Sequence, residues 1–144
     1  MAFTPRNLVD FGLVALIWLV QLIIYPGFTH YSPVQLASWH PQYSHLITLI
    51  VGPLMLAQVG LVGRETYLYP SWHTRLSALI VGLMWAATAF ISVPIHNAIA
   101  AGDTASGTLT RLVDTNWIRT IGWTIIFILG LSDQLRPVSR VGRN

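Results

Sequence analysis

Two histidines five residues apart, His40 and His45, sit around a proline in the stretch SWHPQYSH. A third, His96, closes another apolar run and is followed by Asn97. Asn116 and Arg119 then open the last apolar run, NWIRTIGW. Neutral imidazole ligates iron, zinc and copper, and it also carries protons between groups. The guanidinium fork of arginine matches carboxylate and carbonyl oxygens. His45 and His96 therefore support two readings. In one they are the axial ligands of a haem or part of a metal site. In the other they are interfacial histidines hydrogen-bonded to loops. No His-x-x-x-His or Glu-x-x-His spacing occurs, and the nearest carboxylates are Asp103 and Asp114, which argues against a metalloprotease or di-iron centre. His40 and His45 lie about 140° apart on a regular helix, so they are poor co-ligands of one ion. Arg119 either binds an anionic or quinone-like group or pairs with Asp114 and snorkels.

The elements that carry these residues follow from composition. Of 144 residues, 53% are hydrophobic and 9% are charged. Soluble domains carry about a quarter charged residues, so this chain lacks the charge to cover a globular surface. Residues 11–63 and 76–102 contain no Asp, Glu, Lys or Arg. Runs of about 18 apolar residues or more are membrane-span candidates, and helices satisfy the backbone there. The absence of cysteine excludes disulfides, iron–sulfur clusters and thiol nucleophiles. The net charge of +3 comes from scattered arginines, not from a basic face, so nucleic acid is not an expected partner. No cleavable signal peptide is recognisable, and the first apolar run is expected to be a retained helix.

The sequence predicts an all-α, transmembrane four-helix bundle, a single integral membrane domain over residues 1–144. The spans fall at about 8–25, 41–62, 76–99 and 116–134. Pro26 is expected to stop the first. Pro41 is expected to start the second with His40 as its cap, after a short interfacial helix over Val34 to Trp39. Pro53 and Pro94 should kink their helices. Arg6, Arg64, Arg75, Arg136, Arg140 and Arg143 fall on one side of this topology. Arg111 and Arg119 fall on the other. The excess of arginine predicts both termini in the cytoplasm of a bacterium, with the protein multi-pass in its inner membrane. Asp10 reads as an anchor at the cytoplasmic edge.

Alternating crossings bring the polar residues to one depth near the outer face. Trp18, Gln21 and Tyr25 share a face of span one. Thr88, Ser92 and His96 form a stripe on span three, and Asn116, Arg119, Thr120 and Trp123 one on span four. Polar stripes are costly against lipid and should face the bundle. The expected pocket is built from Gln21, His40, His45, His96, Asn116 and Arg119. It is either a haem or metal site on His45 and His96, or a cofactor-free site for an aromatic or quinone-like small molecule. In the second form histidine moves protons and Arg119 stabilises negative charge. The rival expectation is an accessory subunit of a larger membrane complex, in which the polar cluster only fixes helix packing or docks a neighbour. A homo-oligomer is a separate expectation for its partners. Trp18, Trp85 and Trp123 either pack the middle of the bundle or line a flat ligand.

The segments VQLIIYPGF, HLITLIVGPLMLAQ, VPIHNAI and NWIRTIGW resemble a family of small bacterial four-helix membrane proteins. More distantly, the order VPIHNAI then NWIRT resembles the anthrone-oxygenase-like membrane proteins, which implies oxygen chemistry on aromatic polyketides. The positions this likeness marks are His96, Asn97, Asn116 and Arg119. Spans one and two do not follow it.

Overall fold

The computed structural model describes residues 4–134. Arg136, Arg140 and Arg143, which helped set the expected orientation, lie outside the described residues. Four helical rods account for nearly all of what is described: α1 (Pro5–His30), α2 (Pro33–Leu68), α3 (Trp72–Ala100) and α4 (Ser106–Gln134). No strand occurs among the described residues.

Each rod starts or stops on local chemistry. Thr4 caps α1 by accepting from the Asn7 amide, with Pro5 at the first helical position. Ser32 and Gln35 form a reciprocal capping box at the start of α2, as do Ser71 and Thr74 for α3. At the end of α3 the amides of Gly102 and Asp103 return to the carbonyls of Ile99 and Ala98. Gly102 adopts φ 100° there, a conformation that favours glycine. The Asp103 carboxylate then accepts from the Ala105 amide and the Thr108 hydroxyl, which starts α4.

Three boundaries differ from those read in sequence. Pro26 does not stop α1, which continues to His30. His40 is not a cap, because the Ser32 box starts α2 earlier and Pro41 is absorbed inside the helix. The short interfacial helix is thereby continuous with span two. At 1.5 Å per residue the 36 residues of α2 extend about 54 Å, beyond a hydrocarbon core of about 30 Å. The fourth rod begins at Ser106, ten residues before Asn116.

Prolines act on α1 and α3 in the same way. Val20–Ile24 and Thr88–Ser92 are single π turns, and each is followed two residues later by a proline, Pro26 or Pro94. Proline has no amide hydrogen and its ring crowds the carbonyl four residues back, here Leu22 or Phe90. A widened turn relieves that crowding. It also re-aims the residues that follow, which are Tyr25 on α1 and His96 on α3.

Each rod packs on two neighbours, α1 on α2 and α4, and α3 on α2 and α4. The middle of the bundle is apolar, with Leu13, Ile17, Met55, Val81, Met84, Trp123 and Ile126 buried. Gly122 lets α4 approach α3 there, since a Cβ would overlap the thioether of Met84. Polarity is otherwise inverted relative to a soluble protein. Arg6, Asp10, His40, Gln58, Asn116 and Arg119 are buried. Leu19, Ile23, Leu49, Leu56, Leu83 and Phe90 are exposed. An apolar outer surface of this extent calls for an apolar surround. Three rods, α1, α2 and α3, are long and apolar enough to cross a membrane. This is a helical membrane protein.

Candidate functional site

A hydrogen-bonded chain joins all four rods near the α1–α2 connection. It starts on α4, where Arg119 donates from Nε to Asn116 Oδ1 at 3.0 Å and from Nη2 to the same oxygen. Asn116 Nδ2 donates to Gln21 Oε1 at 2.9 Å, and the Thr120 hydroxyl donates to that oxygen at 3.1 Å. Gln21 Nε2 donates to the Val113 carbonyl at 3.2 Å. Every polar atom of the Gln21 amide is thus engaged with α4, as a buried amide requires. Arg119 Nη2 also donates to Tyr25 Oη at 3.1 Å. Tyr25 Oη lies 2.8 Å from His96 Nε2, and His96 Nδ1 lies 2.8 Å from His40 Nε2. Phe28 and Tyr43 pack edge-on to one another at 5.2 Å, with Phe28 5.6 Å from the His40 ring.

The donor inventory gives this chain two polarities. Arginine only donates, so Tyr25 Oη accepts from Arg119 in both. In the first, Tyr25 O–H donates to His96 Nε2, His96 Nδ1–H donates to His40 Nε2, and His40 carries its hydrogen on Nδ1. In the second, His40 Nε2–H donates to His96 Nδ1, His96 Nε2–H donates to Tyr25, and the tyrosine hydrogen is released. A proton given up by Tyr25 in the second state can be replaced from His96 and then from His40, and the cycle closes only when a donor outside the described residues delivers a proton to His40 Nδ1. That step leaves the chain in the first state with no net charge gained or lost. His40 Nδ1 is buried and has no partner among the described residues.

Tyr25, His96 and Arg119 also line a cavity of about 470 Å³. The volume is in the range of small-molecule sites. Its walls come from α1 at Ile17 and Val20, α2 at Ser44 and Met55, and α3 at Trp85 and Thr88, and Trp123 of α4 completes it. The ion pairs among the described residues are Arg6–Asp10 and Arg6–Glu65. Arg119, 7% exposed, therefore faces this cavity with neutral partners and no counter-ion among the described residues. The pair with Asp114, the alternative reading of Arg119, is not made among the described residues. An uncompensated buried cation strongly favours a ligand that brings negative or partial negative charge.

Five of the six pocket residues read from sequence come together: Gln21, His40, His96, Asn116 and Arg119. His45 does not. It is exposed on the outer side of α2, because five residues of helix turn it well away from buried His40. The partner of His96 is His40 instead, and both ring nitrogens of His96 are held in hydrogen bonds. The arrangement thus leaves no lone pair on His96 for an axial ligand, and His45 and His96 do not fit a haem or a metal between them. No group of three or more His, Cys, Asp or Glu placed to hold a metal occurs among the described residues. Of the tryptophans, Trp85 and Trp123 line the cavity, whereas Trp18 donates to the Thr124 hydroxyl at 3.2 Å on another face.

Tyr25 is the central residue that the sequence-based pocket omitted. It shares a helical face with Gln21, which was the available signal. Its junction between arginine and histidine depends on the π turn that precedes it. A second polar cluster was missed altogether. Arg6, 2% exposed, donates to Asp10 Oδ2 at 3.2 Å, Glu65 Oε2 at 2.6 Å and the Ser77 hydroxyl at 2.7 Å. Gln58 Nε2 donates to Asp10 Oδ1 at 2.7 Å. Gly130 on α4 lies against this group, since a Cβ there would stand 3.3 Å from Arg6 Nε. Asp10 is therefore no edge anchor but part of a buried knot that touches all four rods. The i, i+4 spacing of Arg6 and Asp10, and a glutamine within span two, were its sequence signals.

Compared with known protein families, curated proteins and solved structures, the chain has no match.

Proposed function

We propose that this protein binds a small lipophilic molecule carrying a carbonyl or ring oxygen, aromatic or quinone-like, and exchanges protons with it through Tyr25, His96 and His40. The observation that carries this reading is Arg119, a buried cation without a counter-ion among the described residues, facing a cavity of about 470 Å³. A phenol or enol oxygen that gains negative charge on deprotonation is the group such a cation stabilises. Tyr25 supplies or removes the proton next to it, with the histidines behind. The likeness of the α3 and α4 motifs to anthrone-oxygenase-like proteins points to the same ligand class. On this reading the site lies toward the outer face of a bacterial inner membrane with both termini inside, and the arginine bias of the sequence supports it.

The test is equilibrium binding of a decyl-substituted benzoquinone to the protein in phosphatidylcholine nanodiscs, against empty discs. Arg119→Gln keeps the hydrogen-bonding capacity toward Asn116 but removes the charge, and should weaken binding about tenfold or more. Equal binding by the variant, or retention no greater than in empty discs, would sink the reading. Co-purification of the wild-type protein with a stoichiometric partner chain, and no quinone binding, would favour an accessory subunit instead.

A further inference from the structure

We infer that the cavity is filled sideways from the hydrocarbon, through a slot between α2 and α3, by a lipid-soluble molecule with two acceptor oxygens on its ring and an apolar tail left in the slot. The inference rests on the proposed function above and adds the route and the shape of the ligand.

The slot is seen in residues that both line the cavity and face outward. Thr48 on α2 and Trp85 and Val93 on α3 are exposed, Val93 by 45%. Around them the outer surface is apolar, with Leu49 and Leu83 exposed and Phe90 81% exposed. An opening framed by such residues gives onto lipid tails, because water would leave this surface uncovered. The α2 edge of the slot is low. Thr48 and Gly52 are one turn apart on one face, and a Cβ at Gly52 would meet nothing within 4 Å. A chain can lie across that edge without displacing a side chain.

The head of the ligand is defined by polar atoms left over inside. Trp123, 1% exposed, lines the cavity, and its Nε1–H is buried without a partner among the described residues. Ser44 lines it from α2, and its hydroxyl is likewise buried and unpartnered. A buried indole N–H can only donate, so it selects an acceptor and disfavours an ammonium group. The two groups stand on different rods that line the same cavity, and we assign one ring oxygen to each. Leaving both unpaired costs more than making either bond gains, and that asymmetry gives the site its selectivity.

Three probes separate these claims in nanodiscs: a decyl-substituted benzoquinone, its tail-less parent ring, and decanoic acid. The chain has no cysteine or lysine side chain for a quinone to alkylate, so retention reads binding. Gly52→Trp raises the edge of the slot and should weaken the tailed quinone about tenfold while changing the tail-less ring less than about threefold. Trp123→Phe removes the inner donor and should weaken both quinones about tenfold. Unchanged affinity of the tailed probe for Gly52→Trp overturns the slot. Decanoic acid competing as well as the tailed quinone overturns the two-oxygen head while the pocket stands. If the wild type retains none of the three, the pocket itself falls. A second measurement is independent of any ligand. A nitroxide on Val93→Cys should collide mainly with lipid-dissolved oxygen and be protected by the tailed quinone. Relaxation dominated by a water-soluble nickel chelate would overturn lateral entry.

Discussion

Tyr25 carries more of the site than its one hydroxyl suggests. That oxygen accepts from Arg119 and meets His96, so it couples a fixed donor to a pair of rings that can exchange roles. Tyr25→Phe keeps the ring, which packs 5.9 Å from Phe28 and 5.5 Å from His96, and removes only the junction. The loss leaves Arg119 Nη2 with Asn116 alone and His96 Nε2 with no protein partner. A buried group left unsatisfied in this way costs about 1–3 kcal/mol, so the variant should fold with a measurable loss of stability. Its sharper signature is spectroscopic. With the tyrosine hydroxyl gone, nothing sets which nitrogen of His96 carries hydrogen, and nitrogen NMR of labelled histidine should show the His96 tautomer ratio change together with that of His40. A His40 signal indifferent to Tyr25→Phe would mean that the two rings are neighbours and not a relay.

At the scale of elements, most of what was legible in the sequence concerned span number and depth. Hydrophobicity and charge-free runs locate four rods, three of them long and apolar enough to cross a membrane, because lipid imposes that pattern directly. They also place Gln21, His96, Asn116 and Arg119 at one level, since alternate crossings leave little freedom in depth. Rotation about each helix axis is another matter. It decides that His40 faces inward and His45 outward, and it depends on where α2 starts and on how α1 and α3 absorb their prolines. Sequence put the start of span two at His40–Pro41, and the capping box of Ser32 with Gln35 starts the helix earlier. The π turns were not legible at all, because only packing decides whether a proline kinks, stops or widens a helix. The knot at Arg6 was hidden for a related reason. Charges near span ends read as interfacial anchors until a neighbouring rod buries them. The widened turn in α3 can be tested alone. Pro94→Ala restores an amide hydrogen and removes the crowding of the Phe90 carbonyl, so Thr88–Ser92 should relax toward regular α-helix. Regularising one π turn rotates everything beyond it by about 100°, which carries His96 away from Tyr25 and His40. Helix content by circular dichroism should be unchanged or higher, while quinone binding falls about tenfold. Unchanged binding would show that the proline is not what aims His96.

For the whole molecule, two buried polar layers flank an apolar middle, and they differ in how they are completed. At the Arg6 end a guanidinium meets two carboxylates, a hydroxyl and, through Asp10, an amide from another rod. That layer is closed and holds the rods to one another. At the Arg119 end the guanidinium has no carboxylate among the described residues and opens onto a cavity. A protein selected only for stability has no use for the second arrangement, since a lone buried cation in an apolar surround is expensive. The asymmetry yields a comparison of two charge-neutralising substitutions. Asp10→Asn strips Arg6 of its buried partner and sets an amide against the Gln58 amide donor. Breaking a buried pair by removing one member costs about 3–5 kcal/mol. Arg119→Gln removes a charge that nothing in the described structure balances and retains a donor for Asn116. Its effect on stability should lie within about 1 kcal/mol, in either direction, while its effect on ligand binding is large. Unfolding in mixed micelles with rising dodecyl sulfate, followed by tryptophan fluorescence, ranks the two. If Arg119→Gln is the more destabilising, the upper layer is a packing device like the lower one, and its cation is kept for holding helices together rather than for meeting a ligand.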